Sequence, residues 1–176
     1  MGKGVEISIH HPSPYILANR ERILPDWKNQ SSFWVVIVLQ QSDYPLVEKT
    51  LEIEAEKELL REKFMRFACD VVFNLRDGGY LTDLFDPRTG YPLLSRPGEI
   101  PHDDTAVVKA LLNYPIICNQ CRVLIHPQWG PAVYPSVLVS AAPLIKISSI
   151  LRHTSLLHEW TEVIPGLTQN KEFLSF

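Results

Sequence analysis

The chain has 176 residues, with 17 lysines and arginines against 20 aspartates and glutamates and a formal net charge of -3. The charges are mixed along the sequence and form no basic stripe that could neutralise phosphates, so we expect no nucleic acid partner. The longest apolar run, residues 33–39, is far shorter than the roughly 20 residues that cross a bilayer, so we expect no membrane partner either.

Size and cysteine usage favour one cytoplasmic domain. A chain of this length buries about 70% of its unfolded surface, which is enough for a core of its own, so residues 1–176 are expected to form a single domain. Three cysteines make no disulfide framework and are typical of a reducing compartment. Residues 1–6 resemble a myristoylation site, but Glu6 stands where Ser or Thr is required, and no apolar signal core follows.

Two strands are predicted near the amino terminus. Residues 5–10 alternate apolar and polar side chains, which predicts a peripheral strand with one wet face. Residues 11–30 contain three prolines and are interpreted as a loop with one short helix around residues 16–23. Residues 33–39 are apolar on both pleat faces, which predicts the central strand of a sheet covered on both sides.

A long amphipathic helix is the clearest element. Residues 50–54 alternate again and are predicted to form a strand in a hairpin with the preceding one. From Ala55 the period changes, and an apolar residue recurs every three to four positions, at Leu60, Phe64, Phe67, Val71 and Leu75. This pattern predicts a helix of about 20 residues, which Gly78 and Gly79 end with a left-handed cap.

The remaining elements are less regular. In chain order they are a turn at residues 86–90, an exposed loop at 94–104, a short helix at 106–112, strands at 122–126 and Val133–Ser140 joined by a tight connection, a helix at Leu144–Leu157, and a frayed end at 166–176. The predicted fold class is therefore α+β, with a mainly antiparallel sheet packed against the long helix.

The string Cys118-Asn-Gln-Cys121 has the spacing of a thiol redox site or half a zinc site. Redox use needs the first cysteine at a helix amino terminus. Here the pair enters a predicted strand, where positions three apart face opposite ways. Zinc needs two further ligands, for which only Cys69 and scattered histidines remain. Three interpretations stay open: buried structural cysteines, one functional thiol, or a paired redox or zinc site.

The polar clusters are interpreted as structural. Residues 102–104, His-Asp-Asp, lie in a proline-flanked segment and are expected to be solvated, as are His10 and His11. His126 is close to Trp129 in sequence and is interpreted as a satisfied structural histidine.

No catalytic constellation is present. The sequence contains no nucleophile elbow, phosphate-binding loop, zinc-protease helix or dinucleotide fingerprint. Asp83 and Asp86 have the spacing of a carboxylate pair, but the Pro and Gly that follow Asp86 favour a turn-capping role for it. We therefore expect that the protein is not an enzyme and binds no cofactor alone.

Two strings nevertheless resemble a known family. Residues 79–90 read Gly-Tyr-x-x-Asp-x-x-Asp-Pro-x-x-Gly, and residues 122–130 read basic-Val-aliphatic-x-His-x-x-Trp-Gly, behind the amphipathic helix at 52–76. In order and spacing they resemble the type D protein of methylmalonic aciduria and homocystinuria. The resemblance implies a core at about 5–143, a carboxy-terminal extension at 144–176 and a nitroreductase-like fold without flavin chemistry.

The resemblance also implies a function in cobalamin trafficking. Members of the family are non-catalytic adaptors that pair with a type C cobalamin-processing protein and direct cobalamin to the enzymes that depend on it. The residues expected to contact the partner are those of the two strings, namely Tyr80, Asp83, Asp86, Arg122, His126 and Trp129. Cobalamin would be shared with the partner rather than bound by this chain alone.

The resemblance also implies that a cysteine thiolate just before the second string contacts the cobalt of the partner's cobalamin. Cys121 matches the second of two adjacent cysteines there, Gln120 replaces the first, and Cys118 is the fallback. Arg122 is expected to stabilise the thiolate. The alternative is a small flavin- or thiol-dependent oxidoreductase on the same scaffold, since a fold does not fix a function.

Overall fold

A computed structural model of the chain describes residues 3–160 and 163–165. Its helices and strands, in chain order, are β1 (Val5–His10), α1 (Pro14–Ala18), α2 (Arg20–Ile23), a 3-10 turn (Pro25–Trp27), β2 (Trp34–Gln41), α3 (Leu51–Asp77), β3 (Thr82–Leu84), α4 (Asp104–Leu112), β4 (Ile116–Cys118), β5 (Arg122–Leu124), β6 (Val133–Ser140), α5 (Leu144–Leu157) and β7 (Val163–Pro165). The predicted frayed end at 166–176 lies outside the described residues.

The main sheet has five strands in the order β3-β6-β2-β1-β7. Strand β2 is in the middle, as its two-sided apolar pattern predicts, and pairs antiparallel with β1 and β6. Strand β3 pairs antiparallel with β6, whereas β7 runs parallel to β1. The α+β class and the mainly antiparallel sheet are therefore confirmed.

Helix α3 lies across one face of this sheet. Its predicted apolar stripe is buried, with Phe64 and Phe67 fully inaccessible to solvent, against alternate side chains of β2 such as Val36 and Val38. Helix α5 covers the same face and buries Ile147 and Leu151 in the same core. Among the described residues, no helix is long and apolar enough to cross a membrane.

The predicted strand at residues 50–54 is wrong, because this segment is the first turn of α3. The Thr50 side chain caps the helix by accepting a hydrogen bond of 3.3 Å from the Ile53 N–H. Glu52 lies in that turn, where the helix dipole favours negative charge. Leu51 is 87% exposed, so the alternation that suggested a strand does not reflect a buried face. At the other end, Gly79 has φ +88°, which confirms the left-handed cap.

The wet face predicted for β1 is also wrong, since all six residues of this strand are buried. The His10 Nε2 and Ser8 Oγ atoms form a hydrogen bond of 2.7 Å, and burial lowers the pKa of His10 to about 4. The side chains of Ser8 and His10 therefore satisfy each other instead of water.

The second face of the main sheet has its own core. Alternate residues of β2 and β6 pack there against α4, the strand β5 and the short helices α1 and α2, which replace the single helix predicted around residues 16–23. Trp27 is buried in this core, and its indole N–H donates a hydrogen bond of 3.1 Å to Ser95 Oγ. Since Ser95 is itself buried, the segment predicted as an exposed loop is partly anchored.

Strands β4 and β5 form a separate two-stranded sheet. The predicted strand at 122–126 is shorter than expected, and its partner β4 was not predicted. Strand β6 does not pair with β5 but enters the main sheet. The tight connection between β5 and β6 is closed by an isolated antiparallel bridge between His126 and Gly130.

Candidate functional site

The turn of the β4–β5 hairpin carries both cysteines of the CxxC string. Cys118 ends β4 and pairs with Arg122, so residues 119–121 form a three-residue turn. Across this turn the Asn119 N–H donates a hydrogen bond of 3.1 Å to the Cys121 carbonyl. Cys118 is exposed and Cys121 is half-buried, and both thiols are free.

Cys121 is held between apolar side chains and a lysine. It packs against a small cluster formed by Leu46, Ile53 and Val123. On α3, the Lys57 Nζ atom is 4.0 Å from the Cys121 Sγ atom and 3.0 Å from a carboxylate oxygen of Glu54. The sulfur of Cys121 therefore has a lysine amine from a distant part of the chain as a neighbour, beside a cleft.

Arg122 does not have the role that we expected. Its Nη1 atom is 2.6 Å from Asp103 Oδ2, so its charge is paired with that carboxylate. Asp103 also caps α4 by accepting the Ala106 N–H at 2.9 Å. Partial burial alone would raise the pKa of Asp103, but these two hydrogen bonds hold it below its ordinary value.

A cleft of about 360 Å³ opens beside Cys121. Its walls come from three separate parts of the chain and from β6, namely residues 87–90, 101–105, 121–124 and 133–135, together with Leu46 and Lys57. A second cleft of about 430 Å³ adjoins it along α3 and shares Lys57, Pro87, Arg88 and Tyr134 with it. The two clefts form one groove between α3, the turn at 87–90 and the hairpin.

The 102–104 segment is not the solvated loop that the sequence predicts. The His102 ring is buried and stacks on Phe85 with ring centroids 3.9 Å apart. Its Nδ1 atom is 2.7 Å from Asp104 Oδ1, and burial raises the pKa of Asp104. The pair therefore forms a polar wall of the cleft. Its burial could not be predicted from the local sequence, because the ring that covers His102 belongs to Phe85, in another segment of the chain.

Asp83 serves the loop that follows β3. It is fully buried, and its carboxylate accepts hydrogen bonds from the N–H groups of Leu84, Leu93, Leu94 and Ser95 at 2.6 to 3.2 Å. Because the Asp83 side chain is inaccessible in the folded chain, it is not part of the surface that a partner could contact.

Asp86 is the turn-capping residue that its sequence context predicts. Its Oδ1 atom accepts the Arg88 N–H at 2.9 Å, and both carboxylate oxygens accept hydrogen bonds from Arg61 at 2.8 and 2.6 Å. The Arg61 guanidinium lowers the pKa of Asp86. This bidentate pair fixes the turn at 86–90 against α3.

His126 is buried, and only one of its two ring nitrogens has hydrogen-bond partners, so the prediction of a fully satisfied histidine is only partly met. Its Nδ1 atom accepts the N–H groups of Gln128 and Trp129, each at 3.1 Å, and its ring stacks on Trp129 at 4.0 Å. Since Nδ1 accepts, the ring proton is on Nε2, which is 3.1 Å from Glu6 Oε2 but forms no regular hydrogen bond. His126 is buried, whereas Trp129 is half-buried.

The remaining residue of the first string, Tyr80, is half-buried at the end of α3 and packs on the core beneath that helix. The structure therefore brings Cys121 and Arg122 to one cleft, while Tyr80 and Asp83 belong to the α3–β3 connection. Over residues 3–160 and 163–165, no cluster of three or more His, Cys, Asp or Glu side chains could hold a metal ion.

Comparison with known proteins agrees with the two strings. The family model described as methylmalonic aciduria and homocystinuria type D protein matches residues 2–151. The chain is 26% identical over 157 residues to the cobalamin trafficking protein CblD of Mus musculus, covering 86% of this chain and 50% of that protein. For the Homo sapiens protein of the same name, the identity is 25% over 146 residues, covering 79% of this chain and 47% of the relative.

A third relative, the CblD protein of Rattus norvegicus, is 25% identical over 135 residues, with 73% of this chain and 44% of that protein covered. The chain thus spans about half the length of the curated relatives that it matches. The family model covers the main sheet from β1 to β6, helix α3 and the cysteine hairpin. On this evidence the chain belongs to the methylmalonic aciduria and homocystinuria type D protein family.

Proposed function

We propose that the chain acts in cobalamin trafficking as a non-catalytic adaptor that binds a type C-like, cobalamin-processing protein. Family membership and the names of the relatives support the pathway. The observation that carries the mechanism is the position of Cys121, whose sulfur lies at the rim of the cleft within 4.0 Å of Lys57 Nζ. A thiol in this position can face a cobalt centre that a partner brings to the hairpin.

The chemistry requires a thiolate at the meeting point of the two proteins. Thiolate is a soft, strong donor and displaces a weaker water ligand from a transition metal. Lys57 places an amine beside the sulfur, and the apolar cluster around Cys121 limits competition from water. Since the ligation is a property of the complex, the chain is proposed to share the partner's cobalamin and to hold none alone.

The proposed contact surface surrounds the hairpin. Arg122 and Cys118 are exposed there, and Ile117 on β4 is 43% exposed although it is apolar. Exposed apolar side chains beside charged ones are typical of protein interfaces. Asp86 and Trp129 are half-buried on neighbouring turns and extend this surface. Tyr80 is a more distant candidate, at the end of α3.

Onward delivery to cobalamin-dependent enzymes, a cytoplasmic location and a nitroreductase-like fold are part of the same proposal. The free state of all three cysteines supports a reducing compartment. The five-stranded, mainly antiparallel sheet with a 27-residue helix across one face supports the fold assignment. The thiol-dependent oxidoreductase alternative is not carried forward, because Cys118 ends a strand and does not begin a helix, where the dipole would activate it.

The test is to mix the protein with its cobalamin-loaded, type C-like partner and record the visible spectrum, which changes when sulfur binds cobalt. The parent and Cys118→Ser should give the same spectral change, and Cys121→Ser should give none. If Cys121→Ser keeps the change, the assignment of the thiol is wrong. If the parent gives no change but still captures the partner in a pull-down, the adaptor role stands and thiolate ligation falls.

A further inference from the structure

Lys57 and Cys121 bring together an amine and a thiol from distant parts of the chain. The Nζ and Sγ atoms are 4.0 Å apart although 64 positions separate the two residues. Lys57 has only 26% of its side chain exposed, and Glu54 holds its amine at 3.0 Å. The amine is therefore kept beside the sulfur and is not free to sample the surrounding solvent.

We propose that this pair is a redox modification site, in which a peroxide joins the Cys121 sulfur to the Lys57 nitrogen by a sulfenamide bond. A thiolate with a cationic neighbour and access to a cleft is the kind of cysteine that peroxides oxidise first. A sulfenic acid then condenses with a nearby nucleophile, which can be a thiol or a nitrogen. Here the nitrogen of Lys57 is the nucleophile that the fold places next to the sulfur.

The two steps balance with one peroxide. The Cys121 thiolate attacks a peroxide oxygen, the O–O bond breaks, and the products after protonation are a sulfenic acid and water. Lys57 then gives a proton to solvent, and its lone pair attacks the sulfur. The S–O bond breaks, and the leaving hydroxide takes a proton from the newly bonded nitrogen, which gives the neutral sulfenamide and a second water. In total the protein loses two hydrogen atoms, the sulfur is oxidised, and the peroxide is reduced to two waters.

The geometry favours Lys57 over the other candidate partners of the sulfur. Cys118 pairs across the strands with Arg122, and cross-strand partners project to the same face of a sheet. Both are exposed, whereas Cys121 packs on the opposite side against Leu46, Ile53 and Val123. A disulfide within the CxxC string would require the turn to rearrange. The flexible four-carbon stem of Lys57 can close the remaining distance without moving the backbone.

The cross-link would regulate the site described above. It ties the hairpin turn to α3 and removes the thiolate, so a protein with this bond could not ligate cobalt until a small thiol reduced it. This consequence rests on the proposed function, whereas the cross-link itself does not.

The test uses the full chain and hydrogen peroxide. The reduced protein is treated with peroxide, remaining thiols are alkylated, and the intact mass and the peptides are measured. The parent should lose two hydrogen atoms and yield one linked peptide pair that contains Lys57 and Cys121, and a small thiol should reverse both. Lys57→Arg keeps the charge beside the sulfur but lacks the amine, so it should yield sulfinic acid and no linked pair.

Two matched variants complete the experiment. Lys49 is a second lysine beside the turn, since its backbone N–H donates a hydrogen bond of 3.4 Å to Gln120 Oε1. Lys49→Arg and also Cys118→Ser should cross-link like the parent. Retention of the two-hydrogen loss in Lys57→Arg, or its disappearance in Cys118→Ser, would overturn the proposal in favour of a disulfide. No cobalamin is present, so a linked pair supports the site even if the spectral test fails, and its absence overturns the site even if that test succeeds.

Discussion

Ser95 donates its backbone N–H to Asp83 Oδ2 at 2.6 Å, in a site where the carboxylate is fully buried. The same Ser95 accepts the Trp27 indole N–H through its side chain, so one residue joins the loop after β3 to the core on the second face of the sheet. Asp83 is thus a structural anchor for the segment that leads to His102 and the cleft wall.

Replacing Asp83 with Asn should destabilise the protein by about 2 to 3 kcal/mol. The amide keeps one acceptor oxygen but places a donor against backbone N–H groups, and buried hydrogen bonds to a charged acceptor contribute about 1.5 to 3 kcal/mol. Urea unfolding measures the change. Asp77→Asn on the exposed end of α3 is the matched control and should stay within about 0.5 kcal/mol of the parent. Equal losses in the two variants would contradict the anchor role.

Phe67→Ala should cost about 3 to 5 kcal/mol, because it leaves a cavity in a packed core. Phe67 is fully buried and stacks on Trp160 with ring centroids 4.1 Å apart, so the substitution also loosens the segment after α5. Phe73 on the same helix is 50% exposed and serves as the control. Equilibrium unfolding should show a much smaller loss for Phe73→Ala, and a Phe67→Ala loss below about 1 kcal/mol would reject the packing.

Some of this fold could be read from the sequence because periodicity reports which face of an element is buried. The stripe on α3 and the two-sided apolar run of β2 were both predicted on that basis. The strand prediction for residues 50–54 is wrong because a short alternation of apolar and acidic residues is compatible with a strand and also with a capped first helical turn. The Thr50 cap, three positions before Ile53, was the signal that could have decided between them.

Other features could not be predicted because they arise from contacts between distant segments. Strand β4 has three residues, which is too short for a periodic pattern. The burial of His102 depends on Phe85, and the cation beside Cys121 comes from α3, 64 positions away. A rule that considers only sequence neighbours selects Arg122, whose charge the structure pairs with Asp103.

Stability should fall between pH 6.5 and pH 4 partly because of His10. Burial lowers its pKa from 6.5 to about 4 in the folded chain, so the unfolded chain binds the proton first as the pH falls. The contribution is fully present above pH 6.5 and decreases down to about pH 4, by about 3 kcal/mol in total. Urea unfolding of the parent and His10→Gln at several pH values isolates this part. Parallel pH profiles for the two proteins would show that His10 is not responsible.

The last prediction concerns the charge that acts on Cys121. The Lys57 amine lies 4.0 Å from the sulfur, and a unit charge at that distance acts on another by about 1 kcal/mol in a water-like medium, so removing the amine should slow alkylation of the sulfur about five-fold. In a Cys118→Ser background at neutral pH, Lys57→Met should therefore reduce the rate at which iodoacetamide alkylates Cys121. Arg122→Gln should leave the rate nearly unchanged, because the Arg122 guanidinium is bound to Asp103 at 2.6 Å.

Glu54→Gln should raise the alkylation rate of Cys121, since Lys57 then loses the carboxylate that shares its charge. Cys69 reports on general access in the same samples, because burial raises its pKa and its slow alkylation should not respond to any of these changes. If the rate responds to Arg122→Gln and not to Lys57→Met, then Arg122 is the cation that acts on Cys121. That result would contradict the packing of α3 against the hairpin.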